Sequence, residues 1–191
     1  MKPLFTIQAS NKHQSLLLRN SEDWASIGAA LNRSSLVGGE FPRWFDFKQV
    51  DEQGAFLPDI CTVYISGALA FRADLKEQLF PSPSKNLEFL PITASGKPWL
   101  LLNCLQAVSG IDPNDSTVMR GLNGEICLVM KLRVTDLQAH EWDVFTLTDS
   151  NRAQLFVSSA FVERVQGLKL KGISFQEIGE VVAEKKGSDS R

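Results

Sequence analysis

Residues 155–178, LFVSSAFVERVQGLKLKGISFQEI, constrain the fold most, because three different local signals follow one another there. A short apolar run precedes Ser158, whose hydroxyl can accept from the free N–H groups of a first helical turn. Phe161 and Val165 then recur at helical spacing, and an alternating apolar pattern closes the segment. The segment therefore predicts a strand, a capped helix and a returning strand.

An earlier segment, residues 63–92, has a similar arrangement. Ser66 stands where Ser158 stands in the later segment, and Ala68, Phe71 and Leu79 follow at helical spacing. The apolar run LEFLPI ends the segment. We therefore expect two related strand–helix–strand units with the same local fold.

Two stretches of the chain are similar to a known family. The first is VSSAF…GLKLKGISFQEI, and the second is LLLNCLQAVSGID at residues 100–112. Both resemble motifs of the Imm11 family of bacterial immunity proteins, and the likeness covers about residues 63–178 but not the first sixty. The resemblance implies a protein that neutralises a toxin encoded beside it, and these motifs name no reactive group.

The pattern as a whole predicts an α+β fold, a mixed sheet with two related strand–helix–strand units and a small N-terminal appendage. A chain of 191 residues suits one domain with a small addition. We divide it into an N-terminal segment at residues 1–60, an Imm11-like domain at 61–183 and a flexible polar tail at 184–191. The apolar residues 99–108 predict a central strand buried on both faces.

Composition argues against several classes of protein. The net charge of −2 lacks the basic surplus of nucleic-acid-binding proteins. No apolar run approaches the ~20 residues that span a bilayer, and the N-terminus lacks a secretory pattern. We therefore expect a cytoplasmic protein with neither a nucleic-acid nor a membrane partner. Cys61, Cys104 and Cys127 lie in apolar stretches, which favours buried free thiols.

Reactive constellations are hard to find. His13 and His140 are the two histidines, and neither lies at a metal-ligand spacing. His140 and Glu141 with Asp136 and Asp143 would be one metal or acid–base site, but a charged loop before a strand is the simpler interpretation. The sequence contains no nucleophile elbow and no phosphate-binding loop. We therefore predict no catalytic residue, no metal and no cofactor.

Three polar residues have structural interpretations. Ser66 and Ser158 would be paired nucleophiles in one interpretation, but helix capping explains both. Asn103 is the polar side chain inside the apolar strand, and a buried amide is costly unless it is hydrogen-bonded. We expect Asn103 to hold a neighbouring backbone segment or loop.

The aromatic stretch at residues 41–47, FPRWFDF, is the first candidate contact surface. Trp, Phe and Arg carry much of the binding energy in protein interfaces, although the same residues also build cores. We expect Arg43 and Trp44 to be exposed, name Asp46 with them, and favour Trp44 with Arg43 as the anchor pair.

A second candidate surface is the acidic stretch that contains Asp136, Glu141, Trp142 and Asp143. Such a stretch would face a basic surface of a partner, because complementary charge speeds association and sharpens specificity.

Two classes of function follow from these observations. The resemblance implies a cytoplasmic immunity protein that binds a cognate toxin and performs no chemistry of its own. The alternative is an enzyme for a small substrate whose site is assembled from scattered residues. A purified protein carrying a bound metal or cofactor would favour the enzyme, and rescue of cells from the neighbouring gene's product would favour immunity.

Overall fold

The structure is a computed structural model that describes residues 1–20, 27–28, 31–40, 43–48, 56–63, 68–136, 139, 141–150 and 154–182. The strands are β1 (Lys2–Ala9), β2 (Ser15–Leu18), β3 (Trp44–Lys48), β4 (Ile60–Thr62), β5 (Leu69–Arg72), β6 (Leu87–Ala94), β7 (Lys97–Cys104), β8 (Ala107–Val108), β9 (Thr117–Arg120), β10 (Ile126–Val134), β11 (Val144–Leu147), β12 (Phe156–Ser158) and β13 (Ile173–Val181). The helices that lie wholly within these ranges are α1 (Lys76–Leu79), which directly follows a 3₁₀ turn at Ala73–Leu75, and α2 (Ser159–Gly167). None of the helices in these ranges is long and apolar enough to span a bilayer.

The strands form two sheets. The seven-stranded sheet has the order β8-β11-β12-β1-β13-β10-β9, and the six-stranded sheet has the order β2-β3-β6-β7-β5-β4. Strands dominate and the helices are short, so the fold is mainly β. The α+β class expected from the sequence is therefore wrong.

Both sheets curl so that their ends approach each other. In the six-stranded sheet, a bridge between Leu16 and Val63 brings the two outer strands β2 and β4 together. In the seven-stranded sheet, Ile111 bridges Val134 just after β8 ends, and Thr135 N–H donates to the Gly110 carbonyl at 2.7 Å. Each sheet therefore wraps around an apolar interior.

Three apolar cores fill the molecule. One is enclosed by the six-stranded sheet, and a second is enclosed by the seven-stranded sheet. The third takes residues from both sheets and both helices, so it lies where these elements meet. Its fully buried aromatic side chains are those of Phe71 and Phe161.

The later strand–helix–strand unit is confirmed. It consists of β12, α2 and β13, and the Phe161 N–H donates to the Ser158 hydroxyl at 3.2 Å. The helix ends at a left-handed Lys169, with the Leu170 N–H bonded to the Val165 carbonyl at 3.1 Å. Ser158 is thus the helix cap that its sequence position predicts.

The earlier unit repeats this plan only in part, because its described helical residues are confined to the 3₁₀ turn at Ala73–Leu75 and to α1. Leu69–Arg72 forms strand β5 between β4 and β7, where a helix was expected. Leu69 and Phe71 face the core between the sheets, while Ala68 and Ala70 face the core of the six-stranded sheet. A strand buried on both faces has no polar face, so the spacing of its apolar residues cannot distinguish it from a buried helix.

The N-terminal residues are not an appendage, contrary to the expectation. Strand β1 lies inside the seven-stranded sheet, where Leu4 pairs with Ser158 of β12 and with Gly179 of β13. Strands β2 and β3 belong to the six-stranded sheet. Residues 1–60 therefore contribute to both sheets, and the predicted tail at 184–191 lies outside the described residues.

The central strand predicted at residues 99–108 is confirmed as far as Cys104, where β7 ends between β6 and β5, whereas Ala107–Val108 forms β8 of the other sheet. Asn103 on this strand is fully buried. Its side chain accepts from the Asn32 N–H at 2.6 Å and donates to the Ser34 carbonyl at 2.9 Å and to Glu88 at 2.7 Å. The expectation that Asn103 holds a neighbouring loop is confirmed, and the loop is residues 31–36.

Candidate functional site

The outer face of β2 and β3 carries the first candidate contact surface. We call Arg19, Arg43, Trp44 and Asp46 the Trp44 surface. Successive side chains of a strand point to opposite faces. Phe45 is therefore 0% exposed in the core of the six-stranded sheet, while the neighbouring Trp44 is 60% exposed. A large aromatic side chain is thus presented to solvent on a strand that is paired on both sides.

A two-pronged ion pair lies beside Trp44. Arg19 Nε donates to one carboxylate oxygen of Asp46 at 2.9 Å, and Arg19 Nη2 donates to the other, also at 2.9 Å. The hydrogen bond from Arg19 lowers the pKa of Asp46, and the hydrogen bond to Asp46 raises the pKa of Arg19. Both side chains are exposed, so solvent weakens the pair and its main effect is to orient the two groups.

The backbone holds this surface in register. Arg19 N–H donates to the Trp44 carbonyl at 3.2 Å, and Thr93 N–H donates to the Arg43 carbonyl at 2.8 Å. Arg43 itself is exposed. The Trp44 surface is therefore supported from both neighbouring strands, β2 and β6.

The aromatic stretch at residues 41–47 is part core and part surface. Phe45 is core, while Arg43 and Trp44 are exposed as the sequence indicated. Phe41 and the side chain of Phe47 lie outside what the structure describes. The core interpretation thus applies to Phe45, and the contact-surface interpretation applies to Arg43 and Trp44. The role of this stretch in binding stays a prediction.

Asp143, at the C-terminal end of the acidic stretch, is held in place by contacts with β12 and α2. Asp143 accepts from the Ser158 hydroxyl at 3.1 Å and forms an ion pair with Arg164 of α2. Its carbonyl also accepts from the Ser158 N–H at 3.0 Å. Trp142 is half-buried against the core of the seven-stranded sheet. These contacts tie the start of β11 to the beginning of α2.

The remaining acidic residues differ in exposure. Asp136 is half-buried and its carbonyl accepts from the Ala139 N–H at 3.1 Å, whereas Glu141 is exposed. His140 lies outside the described residues. The acidic stretch belongs to the seven-stranded sheet and the Trp44 surface to the six-stranded sheet. The structure does not join the two candidate surfaces into one patch.

His13 and Ser66 are the remaining polar residues that were considered as reactive groups. His13 lies 2.9 Å from the Ser10 hydroxyl through Nδ1, and partial burial, followed by the nearby charge of Lys171, lowers its pKa. Ser66 is outside the described residues. Within the described ranges, no group of three His, Cys, Asp or Glu residues is placed to hold a metal ion.

The three cysteines are not alike. Cys61 and Cys104 are buried as expected, and burial raises the pKa of the Cys61 thiol. Cys127 is exposed on β10, so the expectation that it is buried is wrong. Strand β10 has irregular pairing with β9 next to this residue, which disturbs the alternation of inward and outward side chains.

Two features of the surface were missed from the sequence. Arg19 belongs to the Trp44 surface, but its partner Asp46 is 27 residues away and no local signal links them. Phe56 and Leu57 are 65% and 57% exposed, and neither was considered as a contact residue from the sequence. Two neighbouring apolar residues in a loop were the signal that a surface contact could have been sought there.

A scan against protein-family models gives no match, and a search of curated proteins gives none either.

Proposed function

We propose that the protein is an immunity protein, which binds a cognate bacterial toxin in the cytoplasm and neutralises it by occupying a surface that the toxin needs. The proposal rests on the resemblance of residues 63–178 to immunity proteins and on the exposed Trp44 surface. It assigns no chemistry to the chain, because inhibition by occlusion needs a complementary surface and no reactive group.

The observation that carries the proposal is the exposure of Trp44 on a regular strand. Covering such an indole with a partner removes a large apolar area from water, which is why Trp and Arg dominate the energetics of interfaces. The Arg19–Asp46 pair beside it offers oriented polar groups for a surrounding rim. This arrangement combines an apolar anchor with fixed polar neighbours.

A cellular experiment tests the function directly. The toxin encoded next to this gene is expressed in bacteria with and without the protein, and survival is measured. We expect rescue by the wild-type protein. Death of cells that contain the folded protein at equal or higher levels than the toxin would overturn the proposal.

A binding titration tests the surface. Trp44→Ala should weaken binding of the purified toxin domain about thirtyfold, the effect of losing an anchor worth roughly 2 kcal/mol. Arg43→Ala should weaken it less. Met130→Ala is the matched control, because Met130 is 57% exposed but lies on β10 of the other sheet. Unchanged affinity in both Trp44→Ala and Arg43→Ala would remove this surface from the proposal.

A further inference from the structure

A second exposed apolar group lies where three segments of the chain meet. The segments are residues 10–14, 56–60 and 168–172. We call Lys12, Phe56, Leu57 and Lys171 the Phe56 surface. More than half of each of the Phe56 and Leu57 side chains is exposed, and both lysines are exposed. Two neighbouring large apolar side chains in water are a feature that marks binding surfaces.

The first two segments are joined by backbone hydrogen bonds. Phe56 N–H donates to the Lys12 carbonyl at 3.3 Å, and Gln14 N–H donates to the Phe56 carbonyl at 2.9 Å. The His13 ring lies against Phe56, with 6.2 Å between the ring centroids. Phe56 is therefore held in place although its side chain is exposed.

Backbone hydrogen bonds also fix the third segment, residues 168–172, to the other two. Asp59 N–H donates to the Lys171 carbonyl at 2.8 Å, and Ser10 N–H donates to the Gly172 carbonyl at 3.1 Å. Gly172 has a φ of +123°, and a Cβ there would lie 2.0 Å from the Ile60 carbonyl oxygen. Only glycine permits this approach, so the segments form one preorganised surface.

Among the described residues around the Phe56 surface, the charges without an ion-pair partner are positive. In the described part of the chain, Lys12, Lys169 and Lys171 have no carboxylate within ion-pair distance. The nearby Asp59 is already engaged, because Arg72 donates to it at 2.9 Å and the Lys171 N–H donates to it at 3.2 Å. A partner that covers this surface gains most if its own rim is acidic.

Strand β2 connects the Phe56 surface with the Trp44 surface. Leu16 and Leu18 are buried, so Ser15 and Leu17 face outward between the two surfaces. The span from residue 13 to residue 19 is about 20 Å along an extended chain. A protein interface of ordinary size, about 800 Å² per partner, is wide enough to include both.

We infer that the Phe56 surface is a second contact region for the same protein partner, and that the opposing face of this partner is acidic around an apolar pocket that takes Phe56. The inference rests on the proposed function, since the partner is the toxin. The Trp44 surface supplies one anchor, and the Phe56 surface supplies a second anchor together with the charge that guides association.

The test measures association and dissociation rates of the purified toxin domain at low and high salt. Lys171→Glu should lower the association rate constant roughly fivefold at low salt, and the effect should shrink at high salt. Lys131→Glu is the matched control, because it makes the same charge change on an exposed residue of β10 whose neighbour Leu132 pairs with Gly179, far along β13 from Lys171, and its effect should stay below about twofold. Phe56→Ala should raise the dissociation rate about tenfold or more.

The outcomes separate the two proposals. If wild-type protein binds the toxin and Lys171→Glu and Phe56→Ala behave like their controls Lys131→Glu and Met130→Ala, the Phe56 surface is wrong and the proposed function stands. If the wild-type protein does not bind, both proposals fall. Binding of the wild type to vesicles of phosphatidylserine and phosphatidylcholine that is lost in Lys171→Glu, with no effect on toxin binding, would overturn the choice of a protein partner. Each variant must keep the wild-type melting temperature.

Discussion

The side chains of Asn32 and Asn103 each accept a hydrogen bond from a backbone N–H of the other's segment. The Asn32 N–H donates to the side-chain oxygen of Asn103 at 2.6 Å, and the Cys104 N–H donates to the side-chain oxygen of Asn32 at 2.7 Å. Both side chains are buried, and Asn32 adopts a positive φ of 61° that asparagine tolerates better than most residues. This exchange fixes the loop at residues 31–36 over one end of the six-stranded sheet.

Replacement of Asn103 should therefore cost stability. Asn103→Ala removes the hydrogen bonds to the buried Asn32 N–H, to the Ser34 carbonyl and to Glu88, and a buried group that loses its partner costs about 1–3 kcal/mol. We expect the free energy of unfolding, measured by urea denaturation, to fall by about 3 kcal/mol. Asn86→Ala, at an exposed loop position, should change it by less than about 0.5 kcal/mol. Equal effects of the two substitutions would show that the exchange does not stabilise the fold.

The carboxylate of Glu88 gives the same loop a dependence on pH. Partial burial would raise the pKa of Glu88, but hydrogen bonds from Ser35, from the Leu36 N–H and from Asn103 lower it below its ordinary value of 4.5. A carboxyl group whose pKa is lower in the folded protein stabilises the fold above its unfolded pKa. That contribution is lost as the pH falls from about 4.5 through the folded value.

Glu88→Gln should accordingly lower the free energy of unfolding at neutral pH. Its difference from the wild type should become smaller as the pH falls from about 4.5 through the lower folded pKa of Glu88, because the wild-type carboxylate becomes protonated over that range. Urea denaturation across this range measures the difference. Glu163→Gln, at an exposed position of α2, is the control. A difference between Glu88→Gln and wild type that is constant with pH would contradict the assignment.

The thiols should react at two different rates. Cys127 is exposed, whereas Cys61 and Cys104 are buried, and burial raises the pKa of the Cys61 thiol, which keeps it in its unreactive form. An alkylating reagent should therefore label Cys127 promptly in the native protein and the other two only after unfolding. Peptide mass spectrometry identifies the labelled positions. Prompt native labelling of Cys61 would show that this core opens readily.

Local signals predicted one region of the fold well and misled in another. The cap at Ser158 and the apolar spacing behind it describe α2 correctly, because a helix with one buried face leaves a clear periodicity. Residues 69–72 have a similar apolar spacing but form β5, because two different cores enclose both faces of this strand. Whether a segment with such spacing forms a helix or a strand depends on packing partners that are far away in sequence.

The candidate surfaces also combine a feature that the sequence predicts with contacts that it does not predict. Exposure of Trp44 follows from the alternation along β3, which the sequence displays. The pairing of Arg19 with Asp46 depends on the register between β2 and β3, and the hydrogen bond between Asp59 and Lys171 joins residues more than a hundred positions apart. Such long-range contacts leave no mark in a single sequence.

The place of β1 has a consequence for synthesis. This strand is made before the other described strands, yet its two neighbours in the sheet are β12 and β13, which are made after all the others. While the chain is being translated, one edge of β1 remains open for pairing until β12 has emerged at residue 158, and the other until β13 has emerged at residue 181. Sheets built from such distant pairings fold slowly. The seven-stranded sheet therefore closes only after translation of β13, and until then β1 is the part of the nascent chain most in need of protection from pairing with other chains.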